Sequence, residues 1–501
     1  MKKNITKYET IIMYLFCLLI SFIALLFTSK NSFLYQLNDW MDANAFFTVG
    51  KSMMNGVVPY KDIFEQKGLF LYFIYGIGYL ISHKTFYGVF IIEVLFFSVF
   101  LFYVFKLVKM LLNKNYGYFI IPLIAILITT CKAFVHGGSA EEFCLPFFSI
   151  VLYEFFKYYK NNGLTNKEFL ICGLCAGFVL MTKYTMLGFF MGFMLSIIVS
   201  SLYHKNIKNC IIYSTYFLLG MLIPFIISLI YLAFNNAVNS FFEVYFYTNM
   251  TAYTKDTSNL FVTIMKGIFG LLISNGGILF LLIILLPYFV SKLKIKSENK
   301  VGLIVMLILT TFFIFYGLVF YSYYILPIFI FSIVSIISLF EILIKKIDKI
   351  KFKKVITIVF ILLTPLLCYS LANYRSDIGK SESDFIQYEY AKIINEEKEP
   401  TLVNMGYLDM GLFTTSGIVP STYFFEQQNF SYEKFPDNID AFHEYIALEK
   451  TTFILFSTRE DLDFIKSEYG RIFDNYELIR DDTQSVEGNT YNMFLFKVKG
   501  D

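Results

Sequence analysis

Long apolar runs divided by short polar segments fill the first three quarters of this chain. They cover residues 11–28, 85–107, 116–131, 143–158, 167–182, 184–203, 209–235, 272–291, 301–320, 324–343 and 354–372. Runs of this length cross a bilayer as helices, so the pattern predicts a polytopic α-helical membrane protein with about 11 transmembrane helices. Residues 68–82 are apolar too, but short and rich in Gly and Tyr, which predicts an interfacial or partly inserted helix. After residue 372 the pattern changes. Thr401–Met405, Thr452–Ser457 and Tyr491–Val498 are β-rich, and amphipathic helical stretches lie near Ser383–Glu396 and Arg459–Tyr469. This predicts a soluble α/β domain over residues 373–501, joined by a linker at 373–382.

Composition supports that division. Charged residues are only 16% of the chain, against about 25% in soluble domains. Residues 1–372 carry a net charge of +15 and residues 373–501 a net charge of −12. A basic membrane body with an acidic tail argues against nucleic acid as a partner. If 68–82 does not span, alternate loops separate into two classes. Segments 1–10, 106–115, 157–167, 204–208, 292–300 and 344–354 hold 21 Lys/Arg, and the intervening segments hold nine, Lys255 among them. The positive-inside rule then puts the N-terminus in the cytoplasm of a cell with the protein in its plasma membrane. The long loop 29–84 and the C-terminal domain fall together on the extracytoplasmic side. All seven cysteines precede residue 373. Cys172 and Cys175 form a C-x-x-C inside an apolar run, which reads as helix packing rather than a metal or redox site. The N-terminal Lys2, Lys3 and Lys7 precede an apolar run with no small-residue cleavage site, so the first helix is expected to be retained.

The outer loops carry the polar chemistry. Loop 29–84 contains Asp39, Trp40, Asp42, Lys51, Lys61, Asp62, Glu65 and Lys67 beside an apolar helix. Trp is a usual anchor at a membrane boundary, so Trp40 sets Asp39 and Asp42 at headgroup depth. A carboxylate there can take a proton from a hydroxyl, and a lysine can pair with a lipid phosphate. An ordinary solvated loop is the plainer reading. The next outer loop brings His136, Glu141 and Glu142 to the start of an apolar helix, where acidic residues also simply favour the helix dipole. His136 with either carboxylate would make a divalent-metal site, although no cofactor is required by the sequence. Lys183 interrupts two apolar runs, as a functional residue or a snorkelling one. Glu93 lies inside a predicted span and needs a partner. Tyr321-Ser322-Tyr323-Tyr324 offers hydroxyls and ring faces to a sugar, or forms an aromatic belt. Asn404–Gly411 reads as a strand and a Gly-flanked turn, structural or ligand-contacting.

The series Asp42…Phe46…Gly56…Pro59-Tyr60…Glu65-x-Lys67-Gly68, leading into an aromatic-rich helix, resembles the first outer loop of the GT-C superfamily of membrane glycosyltransferases. It is most similar to glycosyltransferase family 39, the protein mannosyltransferase and aminoarabinose transferase type, in its bacterial form. The resemblance covers residues 1–372. It implies a catalytic transmembrane domain that uses polyprenyl-phosphate sugars as donors. Carried over, it makes Asp42 the catalytic base, Lys67 the lysine on the donor phosphate, Glu141 or Glu142 the second-loop acidic residue, and Tyr324-x-x-Pro327 the entry to a late helix. The chain departs from the pattern at Ala43, Ala45 and Gly68, where members carry a second acidic residue, Arg and Pro.

These readings converge on an inverting transfer of a monosaccharide from a polyprenyl-phosphate donor to a cell-envelope acceptor, such as a surface polysaccharide, teichoic acid or glycolipid. Asp42 is the base, with Asp39 orienting it or the acceptor. Lys67 and Lys183 would hold the donor phosphate, and Tyr60, Tyr323 and Tyr324 would contact sugar or acceptor. A transporter or flippase of lipid-linked sugars is the alternative, along with a polymerase or ligase of lipid-linked glycans and a non-catalytic assembly partner.

Overall fold

Each apolar run becomes helical. The computed structural model describes residues 7–112, 116–252, 259–275, 277–486 and 489–500, so Lys255 lies outside the described residues. Among these residues, seven helical segments are long and apolar enough to cross a bilayer: Lys7–Thr28, Tyr87–Leu112, Tyr184–Tyr203, Ile207–Phe234, Ser297–Phe315, Ser322–Ile344 and Lys353–Leu371. The other runs form helices that are shorter or more polar, including Gly117–Thr129, Ala140–Asn161 and Asn166–Leu180. The run at 272–291 is broken into Leu260–Asn275, Gly277–Ile284 and Leu286–Lys292. Gly277 sits at φ +48° and Pro287 opens the last piece, two residues suited to interrupting a helix. The short run at 68–82 is a helix as well, Leu69–Ile81.

The chain folds into two units that do not follow chain order. One comprises Met1–Ser29, Ile91–Ser228 and Lys255–Ser376, and the other Lys30–Phe90, Leu229–Thr254 and Asp377–Asp501. The first is the helical membrane unit. Its helices approach closely where side chains are small. A Cβ on Gly173 would fall 2.0 Å from the Phe217 carbonyl oxygen, so only glycine fits there. Cys172 and Cys175 are buried free thiols in the same helix. The helices Ala140–Asn161 and Asn166–Leu180 form a hairpin whose turn is fixed by a Thr165/Glu168 capping box, and Lys157 bonds back to Glu168.

The second unit joins the outer loop to the C-terminal domain. Strands β1 (Leu402–Met405), β2 (Phe453–Thr458), β3 (Tyr476–Val486) and β4 (Asn489–Val498) form one sheet in the order β1-β2-β4-β3. β1 and β2 are parallel, and the other pairs are antiparallel. The helices Met41–Met54 and Leu69–Ile81 pack at Gly50, where a Cβ would lie 2.6 Å from the Gly76 nitrogen. Two polar side chains of the first helix reach the short helix Leu412–Ser416 of the C-terminal domain. Asn44 accepts from Thr414 Oγ1 at 2.8 Å, and Lys51 Nζ donates to the Phe413 carbonyl at 2.7 Å. The Phe64 amide also donates to the Tyr423 carbonyl at 2.8 Å. Strand pairing, helix packing and these bonds make the loop and the tail one folded body.

Candidate functional site

Asp42 stands in the first turn of the helix Met41–Met54, half-buried, where the unpaired amides of a helix start favour a carboxylate. The entry to this helix is set by Asn44, whose amide donates to the Asn38 carbonyl at 2.8 Å and the Trp40 carbonyl at 2.9 Å. Phe46 is four residues on and therefore shares the face of Asp42. The Lys67 ammonium lies 5.5 Å from the Phe46 ring centroid, within cation–π range. Two residues from separate parts of the loop are thus brought to one helix face.

Lys67 is held by a buried polar network. Its amide donates to Tyr72 Oη at 2.8 Å and to Glu65 Oε2 at 3.2 Å, and its carbonyl accepts from Tyr60 Oη at 2.7 Å. Tyr72 in turn donates to Glu65, and the Lys67 ammonium is 3.9 Å from Glu65 Oε1. Tyr60, at φ +69° and only 1% exposed, packs its ring 5.3 Å from Phe241. Its ring is closed in and its hydroxyl committed, so it fixes the Lys67 backbone rather than standing open to a sugar.

Acidic residues of the C-terminal domain face this loop. Glu426 is fully buried and its Oε2 accepts from the Asp409 amide at 2.7 Å. Burial pushes the Glu426 carboxyl well above its ordinary range, and the carboxylates of Asp409, Glu65 and Asp42 push the same way against that hydrogen bond. Burial also raises Asp409 to about 6, against the amides of Gly411 and Leu412, which donate to it. The Asn404–Gly411 segment therefore serves as a structural turn: Asp409 caps the helix that follows, and the Gly406 amide is bonded to Gln427.

Asp39 takes part in a different network. It is buried, and its Oδ1 accepts from Lys30 Nζ at 2.5 Å. Lys30 also donates to Asp377 Oδ2 at 2.8 Å, and Asp377 pairs with Lys380 at 2.7 Å. Burial alone would lower the Lys30 pKa, but the two carboxylates outweigh it and hold it above its ordinary value. For Asp377 burial is likewise outweighed, by Lys30 and Lys380, and its carboxyl sits low. This triad ties the linker to the loop.

In the membrane unit a second group forms. Lys183 precedes the short turn Tyr184–Leu187, and its Nζ donates to Glu141 Oε1 at 2.5 Å. The same ammonium lies 3.3 Å from the Tyr324 ring centroid and 5.7 Å from that of Tyr323. Four sequence-named residues from three segments meet here. Glu142 faces elsewhere, accepting from the Gly138 amide at 2.8 Å. Glu142 stands beside Glu93, which receives the Ser29 hydroxyl at 2.8 Å. Glu93 thus finds a partner in Ser29. His136 is fully buried and stacks on Tyr374 at 4.0 Å between centroids. Among the described residues no group of three or more His, Cys, Asp or Glu is arranged to hold a metal ion.

Sequence reading named Asp42, Lys67, Lys183 and Glu141, and quoted Glu65 without a role. It missed Lys51, Asp377, Asp409 and Glu426 as parts of these networks. Nothing local marks Lys51 or the Lys30 partner Asp377, because Phe413 and Lys30 lie 362 and 347 residues from them.

A model of the family described as "Putative competence-induced protein Ccs4 N-terminal domain" matches residues 2–356. No curated protein matches. Solved structures that share the fold include the crystal structure of ArnT from Cupriavidus metallidurans bound to undecaprenyl phosphate, and that of the same protein in the apo state. Each aligns with a TM-score of 0.55 at 10% identity, over 98% of both chains for the first and 97% for the second. The expected architecture, a helical membrane body with a small C-terminal sheet domain, is the fold this chain shares with them.

Proposed function

The chain belongs to the Ccs4 N-terminal domain family, and within it we propose a membrane glycosyltransferase that moves a monosaccharide from a polyprenyl-phosphate donor to a hydroxyl of a cell-envelope acceptor. The observation that carries this reading is that Lys67 sits over Phe46, one helical turn from Asp42 on the helix Met41–Met54. Asp42 takes the proton of the acceptor hydroxyl as its oxygen bonds the anomeric carbon. The bond from that carbon to the phosphate oxygen breaks, and polyprenyl phosphate leaves. Lys67 stabilises the charge that gathers on the departing phosphate. A single displacement needs no enzyme nucleophile and inverts the anomeric centre. Phosphate is a good leaving group and needs no separate acid.

The network of Glu65, Tyr60 and Tyr72 then serves to fix where Lys67 stands. In the membrane unit, the Lys183–Glu141 pair with its tyrosine rings suits the hydroxyls and anion of a donor headgroup. The fold shared with a protein crystallised with undecaprenyl phosphate supports the choice of a polyprenyl donor. The membrane body is expected to act with its loop and C-terminal domain on the extracytoplasmic side.

Release of polyprenyl phosphate from a polyprenyl-phosphate hexose in proteoliposomes tests the roles. Removal of a general base costs about 100- to 10,000-fold, so Asp42→Asn should fall in that range. Asp39→Asn, at a temperature where the protein stays folded, should stay within about tenfold of wild type, since general-base losses exceed that. Equal losses from both substitutions would overturn the assignment of the base. Full activity in Asp42→Asn and Lys67→Met, with loss in Glu93→Gln, would move the transporter reading to the front.

A further inference from the structure

We propose that the membrane unit carries a lipid site at the end opposite Glu141 and Lys183, built for an anionic phospholipid with a hydroxylated headgroup. A pocket of about 720 Å³ opens there, within the range of ligand sites. Lys160, Lys292, Lys294 and Lys296 line it. Glu141 and Lys160 stand near the two ends of the helix Ala140–Asn161, about 28 Å apart at 1.5 Å rise per residue. That distance matches the hydrocarbon core of a bilayer, so the pocket lies at the other headgroup layer. Most of its wall comes from segments 106–115, 157–167, 292–300 and 344–354, four of the six that charge alone assigns to the cytoplasm, and Phe156, Glu341 and Ile342 border them.

Basic residues at a cytoplasmic boundary are ordinary in a membrane protein. Three further features set this group apart. Four lysines converge on one concavity instead of spreading along the loops. Part of the wall is apolar, through Leu111, Phe156 and Ile342, which suits the upper acyl chain of a lipid. Asn299 also lines the pocket, is 2% exposed, and its Oδ1 is buried without a hydrogen-bond partner. An orphaned buried acceptor costs stability unless a ligand or water brings a donor. Glu341, at the same wall, is a second acceptor. A ligand with an anion for the lysines and hydroxyl donors for Asn299 and Glu341 matches this lining. A phosphate diester with a glycerol headgroup has both, and basic pockets between spanning helices are a known setting for anionic headgroups. The proposal stands apart from the transferase chemistry, which uses other residues.

Native mass spectrometry of the full chain in neutral detergent tests it, with phosphatidylglycerol, phosphatidic acid, phosphatidylcholine and inorganic phosphate as probes. Phosphatidylglycerol should be retained best, phosphatidic acid less, and phosphatidylcholine least. The Lys292→Gln/Lys294→Gln/Lys296→Gln variant should lose about tenfold or more in phosphatidylglycerol affinity. Those lysines are exposed, so their loss should leave the fold intact. Lys349→Gln/Lys351→Gln/Lys354→Gln, with the same charge change outside the pocket, should bind as wild type does. Asn299→Leu should erase the preference for phosphatidylglycerol over phosphatidic acid while leaving binding of the latter. Equal binding by the triple variant and wild type, or no preference over phosphatidylcholine, would overturn the site. Displacement of the lipid by millimolar inorganic phosphate would overturn the lipid assignment in favour of a soluble anion.

Discussion

Lys30→Met should destabilise the loop-and-tail unit far more than an ordinary lysine substitution. The Lys30 side chain is 1% exposed, and its two partners, Asp39 and Asp377, are 7% and 14% exposed. Methionine fills much of the same volume, so packing changes little. What changes is that two carboxylates lose their shared cation in a place water barely reaches. Breaking a buried pair from one side costs about 3–5 kcal/mol, because the remaining charge is uncompensated. Lys380 is 40% exposed and screens only Asp377. At about 2–4 °C per kcal/mol for a unit of this size, the unfolding midpoint should drop by ~6–20 °C. Thermal unfolding in detergent at neutral pH reads this directly. The variant Lys30→Met/Asp39→Asn/Asp377→Asn should recover most of the loss, since both orphaned charges are gone. A midpoint unchanged in Lys30→Met, or a triple variant no better than the single one, would refute the reasoning. The low Asp377 pKa adds a pH signature: its stabilisation is present above pH ~4 and is lost as the pH falls.

Lys51 is fully buried, and burial lowers its pKa to about 7 against the attraction of Asp409. The unfolded chain then binds more protons than the folded one between about pH 7 and 10.5, so stability should rise over that window, and Lys51→Met should flatten the rise in a pH series of unfolding midpoints. Asp409, raised to about 6, acts in the opposite sense: its contribution is present below pH ~4 and lost as the pH climbs towards 6, a limb that Asp409→Asn should remove. Gly137 is at φ +86°, and a Cβ there would fall 2.3 Å from Ser29 Oγ and 2.6 Å from Glu93 Oε1. Gly137→Ala should therefore cost more than about 1 kcal/mol in the membrane unit, read as a lower unfolding midpoint at normal expression.

The membrane body was legible because a spanning helix needs a long apolar run and little else. Where 272–291 broke, Gly277 and Pro287 were visible in the sequence, but the apolar average hid them. In the tail, β1, β2 and β4 are buried and read as β-rich. β3 was missed because it is an edge strand. Its Glu477, Arg480, Asp481 and Asp482 keep the free edge charged, which discourages pairing with other chains and erases the hydrophobic signal. The site was half legible. Asp42, Lys67, Lys183 and Glu141 stand out as charges beside apolar runs. Their supports do not, because Lys30 and Asp377 are 347 residues apart and Lys51 and Phe413 are 362 apart. Pairings of that range are decided by the fold. The hydroxyl of Tyr60 shows the same limit: composition marks it as a sugar contact, and packing commits it to Lys67.

The central claim is that Asp42 is the base of a glycosyl transfer. The most direct test is glycan analysis of the cell envelope from cells carrying the wild-type protein or Asp42→Asn at matched membrane levels. The account predicts that one sugar substituent is lost in the variant. An unchanged envelope, with the protein present and folded, would contradict it.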